Sequence, residues 1–184
     1  MTPRIPAPDP DSLAPDVAEA LSIALAPSGE PAATMAVLAH QGALLAPFLG
    51  WAAALHLEGV LSPRHHELLA LRAAWNCRSE FEWGEHCAYA RGAGISDDEL
   101  ERIASGPTTG WSSEEAALLR AADELVARAD VSDETWSVLA AHYDHAALAE
   151  IIYVVGQYTM LSMVANAARV SVPPDVDALP DVAR

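Results

Sequence analysis

Two glutamates and one histidine are spaced so that they could share acid/base chemistry. In the segment SEFEWGEH, Glu82 precedes His86 by four residues, and Glu67 lies in the preceding segment HHELLALRAAW. Residues four apart project from one face of a helix, and a carboxylate at that position raises the pKa of an imidazole. Such a histidine can donate or accept a proton near neutral pH. The same spacing also fits a surface ion pair that contributes only a few tenths of a kcal/mol.

The start of this segment has the pattern of a helix cap. Ser79 is followed three residues later by Glu82, as in a capping box, where each side chain satisfies an amide that the helix leaves open. Replacing such a cap costs about 1 kcal/mol. If a helix begins near Ser79, Cys87 lies about 12 Å along its axis. A disulfide between Cys77 and Cys87 is therefore not expected.

The composition excludes several functions. The 184-residue chain has a formal net charge of −16 and no lysine, which excludes Schiff-base and P-loop lysines. A field this negative repels nucleic acid and anionic lipid, so we expect neither a nucleic-acid nor a membrane partner. The uncharged stretches 31–57 and 151–168 are interpreted as buried helices of a soluble protein. The N-terminal residues lack the apolar core of a signal peptide, and a cytoplasmic location is predicted.

Helical spacing runs through almost the whole sequence, and no stretch shows sustained strand alternation, which predicts an all-α fold. The predicted helices cover residues 15–26, 31–45, 47–59, 62–75, 79–92, 96–104, 112–129, 132–143 and 146–168. Pro47 is expected to break or kink the chain between two of them. Proline-rich ends predict flexible tails at 1–12 and 172–184 around a single domain at 13–171. Without a Gly-rich phosphate loop or Cys/His metal spacing, no cofactor and no metal is expected.

Two separate segments resemble one known family. The segments HHELLALRAAW and CRSEFEWGEHCAYARGAGISDDEL resemble the carboxymuconolactone decarboxylase/alkylhydroperoxidase-D-like family, especially its branch with an S-E-[YF]-E-W-x-x-H motif. The later segment SDETWSVLAAHYDHAALAEIIYVVGQYTMLSMVANAARV is similar to the same branch, so the resemblance covers about residues 30–170. It implies an all-α helical bundle of the alkylhydroperoxidase-D-like type with about seven to nine helices. It also implies a homo-oligomer, from dimer to hexamer.

This sequence differs from the peroxidase branch of the family at the two cysteines that carry out the peroxidase reaction. In that branch a glutamate precedes a Cys-x-x-Cys pair, and a histidine follows the pair by four residues. The same frame places Glu67 at the glutamate, Ser79 and Glu82 at the two cysteines, and His86 at the histidine. A serine and a carboxylate cannot carry out a thiolate–disulfide cycle. The chain therefore resembles the decarboxylase branch more closely in its chemistry.

This resemblance implies a cofactor-free lyase that works by general acid/base catalysis on a small cyclic or unsaturated oxoacid or lactone. The reaction would be a decarboxylation or a related proton transfer or elimination. His86 would carry the proton, an effect typically worth about 10²–10⁴-fold in rate, and Glu67 and Glu82 would tune its pKa. The branch often has Arg-Glu where this chain has His66 followed by Glu67. An arginine contact at that position is therefore not expected.

Four further residues are candidates for binding the small-molecule substrate. Arg72 could clamp a carboxylate, or it could equally be a partner of Glu67 inside the bundle. Trp83 and Tyr158 could line an apolar pocket, or they could belong to the ordinary core. The fourth, Ser79, is also the predicted helix cap.

Two other functions stay open from the sequence alone. One is a thiol-dependent, hydroperoxidase-like antioxidant protein that uses Cys77. The other is a non-catalytic oligomeric ligand-binding protein in which residues 77–87 only form a capped helix. The three functions differ in whether Glu67, Glu82 and His86 converge on a cavity large enough for a ligand.

Overall fold

The computed structural model describes residues 2–25, 29 and 31–181 and is built from helices. The α-helices are α1 (Pro15–Ile23), α2 (Ala33–Leu38), α3 (Gly42–Leu57), α4 (Pro63–Asn76), α5 (Glu80–Gly92), α6 (Asp97–Ser105), α7 (Ser113–Arg128), α8 (Asp133–His142) and α9 (His145–Ala168). Short 3-10 turns cover Pro10–Ser12 and Ala39–Gln41. Within the described residues the only β-pairing is an isolated bridge between Leu25 and Pro31. The predicted all-α fold is confirmed.

Polar side chains fix where most of these helices begin. The hydroxyl of Ser62 accepts a hydrogen bond from the amide of His65, and Pro63 occupies the first turn of α4. Ser96 and Ser112 form complete capping boxes with glutamates three residues later. The carboxylate of Asp144 accepts from the amide of Ala147 at the start of α9. These starts agree with the predicted helices to within one residue.

The chain does not break at Pro47. Pro47 lies inside α3, and the boundary between α2 and α3 falls earlier, at the 3-10 turn Ala39–Gln41. The prediction of a break at Pro47 was therefore wrong, and a kink at this residue stays a prediction. The fixed φ of proline is compatible with a helix, but its missing amide removes one hydrogen bond and its ring crowds the carbonyl group four residues earlier.

α4 is the central helix of the bundle and packs against α5, α7 and α9. Its apolar residues are buried on all sides, which explains why its sequence has no simple polar face. One core cluster, which includes Leu69 and Ala73, joins α4 to α3, α7 and α9. A second cluster, which includes Leu68 and Leu71, joins α4 to α5 and α6. The position of α5 relative to α4 is thus set by a dedicated core.

The C-terminal segment lies against the outer side of α5. A Cβ atom on Gly84 would come within 2.5 Å of Val176, so the close approach needs a glycine at this position. Arg91 donates two hydrogen bonds of 2.7 Å to the carboxylate of Asp177, and Leu179 packs on the second core cluster. These contacts add to the support of α5. The limits of the domain and the flexibility of the two tails stay predictions.

Two helical stretches are long and apolar enough to cross a membrane by length and composition alone. They are Ala33–Leu57, which spans α2 and α3, and His145–Ala168, which is α9. More than half of the α9 window is buried inside the protein, as in the core helix of a soluble protein, against 28% for the first stretch. Neither stretch is strong evidence for membrane insertion. The first leaves apolar side chains exposed on α3, including Leu44 and Trp51.

Candidate active site

The short connection between α4 and α5 brings Glu67 and His86 together. Only Cys77, Arg78 and Ser79 separate the two helices, and Arg78 adopts a left-handed conformation with φ of 54° that reverses the chain. Two packed helices joined by so short a loop run antiparallel, so a residue two to three turns before the loop lies beside one about two turns after it. Glu67 and His86 occupy these two positions.

Glu67 and His86 form a buried hydrogen-bonded pair. Nδ1 of His86 lies 2.7 Å from Oε2 of Glu67, and both side chains are buried. Burial lowers the pKa of His86, but the carboxylates of Glu67, Glu82 and Glu85 together raise that pKa above its ordinary value. Burial raises the pKa of Glu67, but His86, with His66 and His56, lowers it below its ordinary value. Nδ1–H therefore donates to the carboxylate, and Nε2 is the ring nitrogen available to a substrate.

Glu82 is buried beside His86, one helical turn before it. Burial raises the pKa of Glu82 to about 7, against the opposing effect of His86. Its Oε1 atom is buried and has no hydrogen-bond partner among the described residues. A carboxyl group in this condition holds a proton for about half of the time near neutral pH.

Ser79 caps α5, but the predicted capping box is incomplete. The Ser79 hydroxyl accepts from the amide of Glu82 at 3.4 Å. The amide of Ser79 instead donates to the carbonyl of Ala74, so the Glu82 carboxyl group is not needed there. This half of the prediction was wrong, because the tight turn after α4 already satisfies the amide that Glu82 would have capped. The Glu82 side chain lines a cavity instead.

Tyr158 of α9 completes the cluster around the imidazole. Its ring lies edge-on to that of His86, with 4.3 Å between the ring centroids. Its hydroxyl lies 3.0 Å from Nε2 of His66, a buried residue of α4. Burial lowers the pKa of His66 to about 4, so this histidine is neutral at physiological pH. Tyr158 thus contacts both His66 and His86.

These groups border a cavity of about 250 Å³ between α5, α9 and the N-terminal helices. His86 and Glu82 line it, and Glu67 lies behind the imidazole. The other aromatic and polar side chains of its wall include His56, Phe81, Glu85, Tyr89, Gln157 and Tyr158. The segment after α1, together with α2 and α3, contributes mostly apolar residues. No arginine is among the lining residues that the structure describes. The cavity is therefore apolar, aromatic and acidic, with one imidazolium.

Three of the four predicted substrate-binding residues do not line this cavity: Ser79, which caps α5, Arg72 and Trp83. The Arg72 guanidinium donates to Asp123 and to the carbonyl oxygens of Ile103 and Ala104, so it joins α4 to α6 and α7. Its partner is Asp123 rather than Glu67. Trp83 is fully buried in the second core cluster. Their positions support structural roles, whereas Tyr158 lies in the wall of the cavity as the prediction requires.

Sequence reasoning missed three residues of the cavity. Tyr89 lies three residues after His86, and Glu85 lies three residues after Glu82, so the helical spacing on α5 could have identified both. His56 comes from the last turn of α3, which meets α4 only in the folded chain. No sequence spacing signals such a contact between helices.

Comparison with known proteins agrees with this architecture. The sequence profile of the carboxymuconolactone decarboxylase family matches residues 43–124, which contain Glu67, Glu82 and His86. No sequence among the curated proteins matches the chain.

Several solved structures share the fold over nearly the whole chain. An uncharacterized peroxidase-related protein from Ralstonia eutropha JMP134, described as an alkylhydroperoxidase AhpD core, is 16% identical with a TM-score of 0.81, and 95% of this chain and 94% of that chain are covered. A peroxidase-related protein from Silicibacter sp. TM1040 is 18% identical with a TM-score of 0.79 and coverage of 95% and 96%.

The debrominase Bmp8, solved in complex with 2,3,4-tribromopyrrole, is 14% identical with a TM-score of 0.77, and 95% of this chain and 93% of that chain are covered. At such identities, these likenesses establish the fold alone. Residues 43–124 thus match the carboxymuconolactone decarboxylase family, and the chain has the all-α fold of the alkylhydroperoxidase-D-like proteins.

Proposed function

We propose that the protein is an acid/base enzyme that transfers protons to and from carbon in a small cyclic or unsaturated oxoacid or lactone. The observation that carries this proposal is the pair of His86 and Glu67, joined at 2.7 Å, with the imidazole in the wall of a cavity that Glu82 also lines. A buried carboxylate that fixes one ring nitrogen orients the other toward a ligand. The match of residues 43–124 to the carboxymuconolactone decarboxylase family supports an enzymatic role for this site.

Decarboxylation of a β-oxo acid illustrates the chemistry. The bond to the carboxylate carbon breaks, carbon dioxide leaves, and the electron pair forms an enolate. The enolate carbon then takes the proton from Nε2 of His86, and the ring regains a proton from solvent. In its protonated form, Glu82 can donate a hydrogen bond to the enolate oxygen, where negative charge develops. An isomerisation of an unsaturated lactone would use the same two groups as base and acid.

The charges of the site favour a neutral or singly charged substrate. Glu82 and Glu85 line the cavity, none of the described lining residues is an arginine, and the chain has a net charge of −16. This field would repel a dicarboxylate such as carboxymuconolactone, for which His86 would be the main cationic partner. The volume of about 250 Å³ suits a small ring. The ligand of the debrominase Bmp8, a tribromopyrrole, is of this size class.

The two cysteines give no support to thiol-dependent chemistry. Both are free, and burial raises the pKa of the Cys77 thiol, so less thiolate is present at neutral pH. The pKa of Cys87 is raised by burial to about 12. Neither cysteine lines the cavity that His86 borders. A hydroperoxidase reaction through Cys77 is therefore the weaker proposal.

The proposal is tested with two probes, 2-oxocyclohexane-1-carboxylate as a cyclic β-oxo acid and α-angelica lactone as an unsaturated lactone. Release of carbon dioxide and isomerisation of the lactone are followed in D2O by NMR. We expect the wild-type protein to accelerate at least one reaction and His86→Gln to lower that rate by about 10²–10⁴-fold. Glutamine keeps the hydrogen bond to Glu67 but cannot transfer a proton from an imidazolium.

The control is His65→Gln, since His65 neighbours the site in sequence but contacts Tyr143 on another side of α4. It should keep the wild-type rate. A His86→Gln variant as active as the wild type would remove the mechanism. A wild-type protein that accelerates neither probe would remove the substrate class and favour a non-catalytic ligand-binding protein.

We also propose that the protein is a cytoplasmic homo-oligomer. Large apolar side chains are exposed on α3 and α9, including Trp51, Tyr153 and Met163. Trp51 and Tyr153 pack against each other edge-on on this surface, with centroids 5.4 Å apart. A second subunit would cover a surface that a soluble monomer rarely exposes.

Sedimentation equilibrium of the protein at micromolar concentration tests this assembly. We expect a mass that is a multiple of 19.4 kDa, and a smaller species for Met163→Glu. Replacing the exposed Glu134 on α8 by glutamine is the matched control and should leave the mass unchanged. A wild-type monomer would contradict the proposal.

A further inference from the structure

Three potential metal ligands meet behind the wall of the cavity. His56 from the last turn of α3, and His66 and Glu67 from the first half of α4, each offer one ligand atom, and these atoms lie within 4.8 Å of one another. The rings of the two histidines are edge-on, with 5.1 Å between centroids. Two imidazoles and one carboxylate form a donor set that protein zinc sites use.

The Glu67 carboxylate has one oxygen to spare for a cation. Its Oε2 atom accepts the hydrogen bond from His86, but its Oε1 atom is buried and has no hydrogen-bond partner among the described residues. A buried carboxylate oxygen normally has a donor or a cation beside it. A metal ion would satisfy Oε1, and the bond from His86 would then hold the ligating carboxylate in place, as outer-shell partners do at metal sites.

His66 is buried, and its ring is held in place by a hydrogen bond. In the tautomer with the proton on Nε2, that nitrogen donates to the hydroxyl oxygen of Tyr158 at 3.0 Å. Nδ1 then keeps its lone pair, and the tyrosine fixes the orientation of the ring.

We propose that His56, His66 and Glu67 bind one divalent first-row transition ion, with Zn²⁺ as the preferred metal, at the edge of the cavity. Nitrogen and carboxylate donors favour such ions over Ca²⁺ or Mg²⁺, which prefer all-oxygen sites. In a tetrahedral site with bonds of about 2 Å, ligand atoms are about 3.3 Å apart. The ligand atoms must therefore approach one another by up to about 1.5 Å from their present separation, and His56 is the exposed member of the three.

The surrounding charges allow this ion. A protonated His86 would repel the metal ion, but His86 is hydrogen-bonded to the other oxygen of Glu67. Glu82, Glu85 and the net charge of −16 attract a cation. With three protein ligands, a fourth position is left for water or for a substrate oxygen in the cavity that His56 lines. The proposed metal site is separate from the proposed proton-transfer function, because metal binding can be measured without any turnover.

The test is titration of the chelator-treated full-length protein with ZnCl₂ by calorimetry, in the presence of millimolar Mg²⁺ to saturate surface carboxylates. We expect one tight equivalent of Zn²⁺ per chain. Co²⁺ should bind the same site and give the intense visible absorption of a four-coordinate complex. His56→Gln should weaken Zn²⁺ binding by about 100-fold, and His56 is exposed, so this variant should fold.

His65→Gln is the matched control, because it removes a histidine one residue from His66 that is not part of the cluster. It should bind Zn²⁺ like the wild type. Absence of a stoichiometric site, or equal affinity in the wild type and His56→Gln, would overturn the proposal. Turnover in His86→Gln tests the proton-transfer proposal, and Zn²⁺ binding in His56→Gln and His65→Gln tests the metal site. The two measurements are independent, so either proposal can fail without the other.

Discussion

Two clusters of charged side chains lie on different sides of α4, and they are partnered in opposite ways. In the first, the guanidinium of Arg72 makes four hydrogen bonds, two of them to Asp123 and two to the main chain at the end of α6. In the second, Glu67 and Glu82 each keep a buried oxygen without a partner among the described residues. The positions of Glu67 and Arg72 are about 140° apart around the helix.

The difference indicates a structural role for the cluster around Arg72 and a functional role for the cluster that contains Glu67 and Glu82. A buried charge whose partners are complete holds helices together and has nothing left to offer a ligand. A buried carboxyl group with an open oxygen costs free energy in the folded protein unless something else binds it. Functional sites commonly contain such destabilising groups, because burial shifts their pKa to values that are useful for proton transfer. The contrast supports the proposed acid/base role of Glu82 and a structural role of Arg72.

The largest effect on stability should come from breaking the complete cluster. Arg72→Met would leave Asp123 and two carbonyl oxygens without their donor. We expect the free energy of unfolding to fall by about 3 kcal/mol, the lower end of the range for a broken buried pair, because Asp123 is partly exposed. Urea unfolding at pH 7 measures it.

The double variant with Asp123→Asn is the control for this loss. Removing the uncompensated charge should recover part of the stability, so the two substitutions should not add. Turnover by folded Arg72→Met should equal that of the wild type, since the residue does not line the cavity. Lost turnover in a folded variant would instead restore the interpretation of Arg72 as a substrate clamp.

The same contrast explains which parts of the molecule the sequence predicts. The helices and their starts follow from local signals, as the caps at Ser62, Ser96 and Ser112 show. The meeting of Glu67 and His86 followed from the family frame, and the structure brings the two together. Their catalytic roles stay predictions.

The partners of Arg72 and the contribution of His56 could not be predicted in this way. Asp123 lies 51 residues from Arg72 along the chain, and His56 reaches the site only through the packing of α3 on the bundle. Contacts of this kind depend on how helices pack, and neither helical periodicity nor capping contains that information. For the same reason, the sequence could not show that Trp83 belongs to the core rather than to the cavity wall.

An effect of opposite sign, and no larger than that of Arg72→Met, is expected from the open cluster. The pKa of Glu82 is raised by burial to about 7 in the folded protein, from an ordinary value of 4.5. The folded state therefore holds this proton more tightly, and its stabilising effect is complete below pH 4.5 and is lost as the pH rises through about 7. Glu82→Gln removes this dependence. At pH 8 we expect the variant to be more stable than the wild type by up to about 3 kcal/mol.

Urea unfolding of both proteins at pH 5 and pH 8 measures this difference. The groups that act on Glu82 are His86 and Glu85 of its own helix, with Tyr158 facing it from α9, and all three are kept in the variant. Glu85→Gln is the control: burial also raises the pKa of Glu85, but this side chain is less enclosed, so its change should be smaller. A Glu82→Gln protein with the wild-type pH dependence would show that water or a partner already satisfies this carboxyl group. The charged groups of both clusters beside α4 would then have complete partners. The physical reason for proposing proton transfer beside Glu82 would be lost.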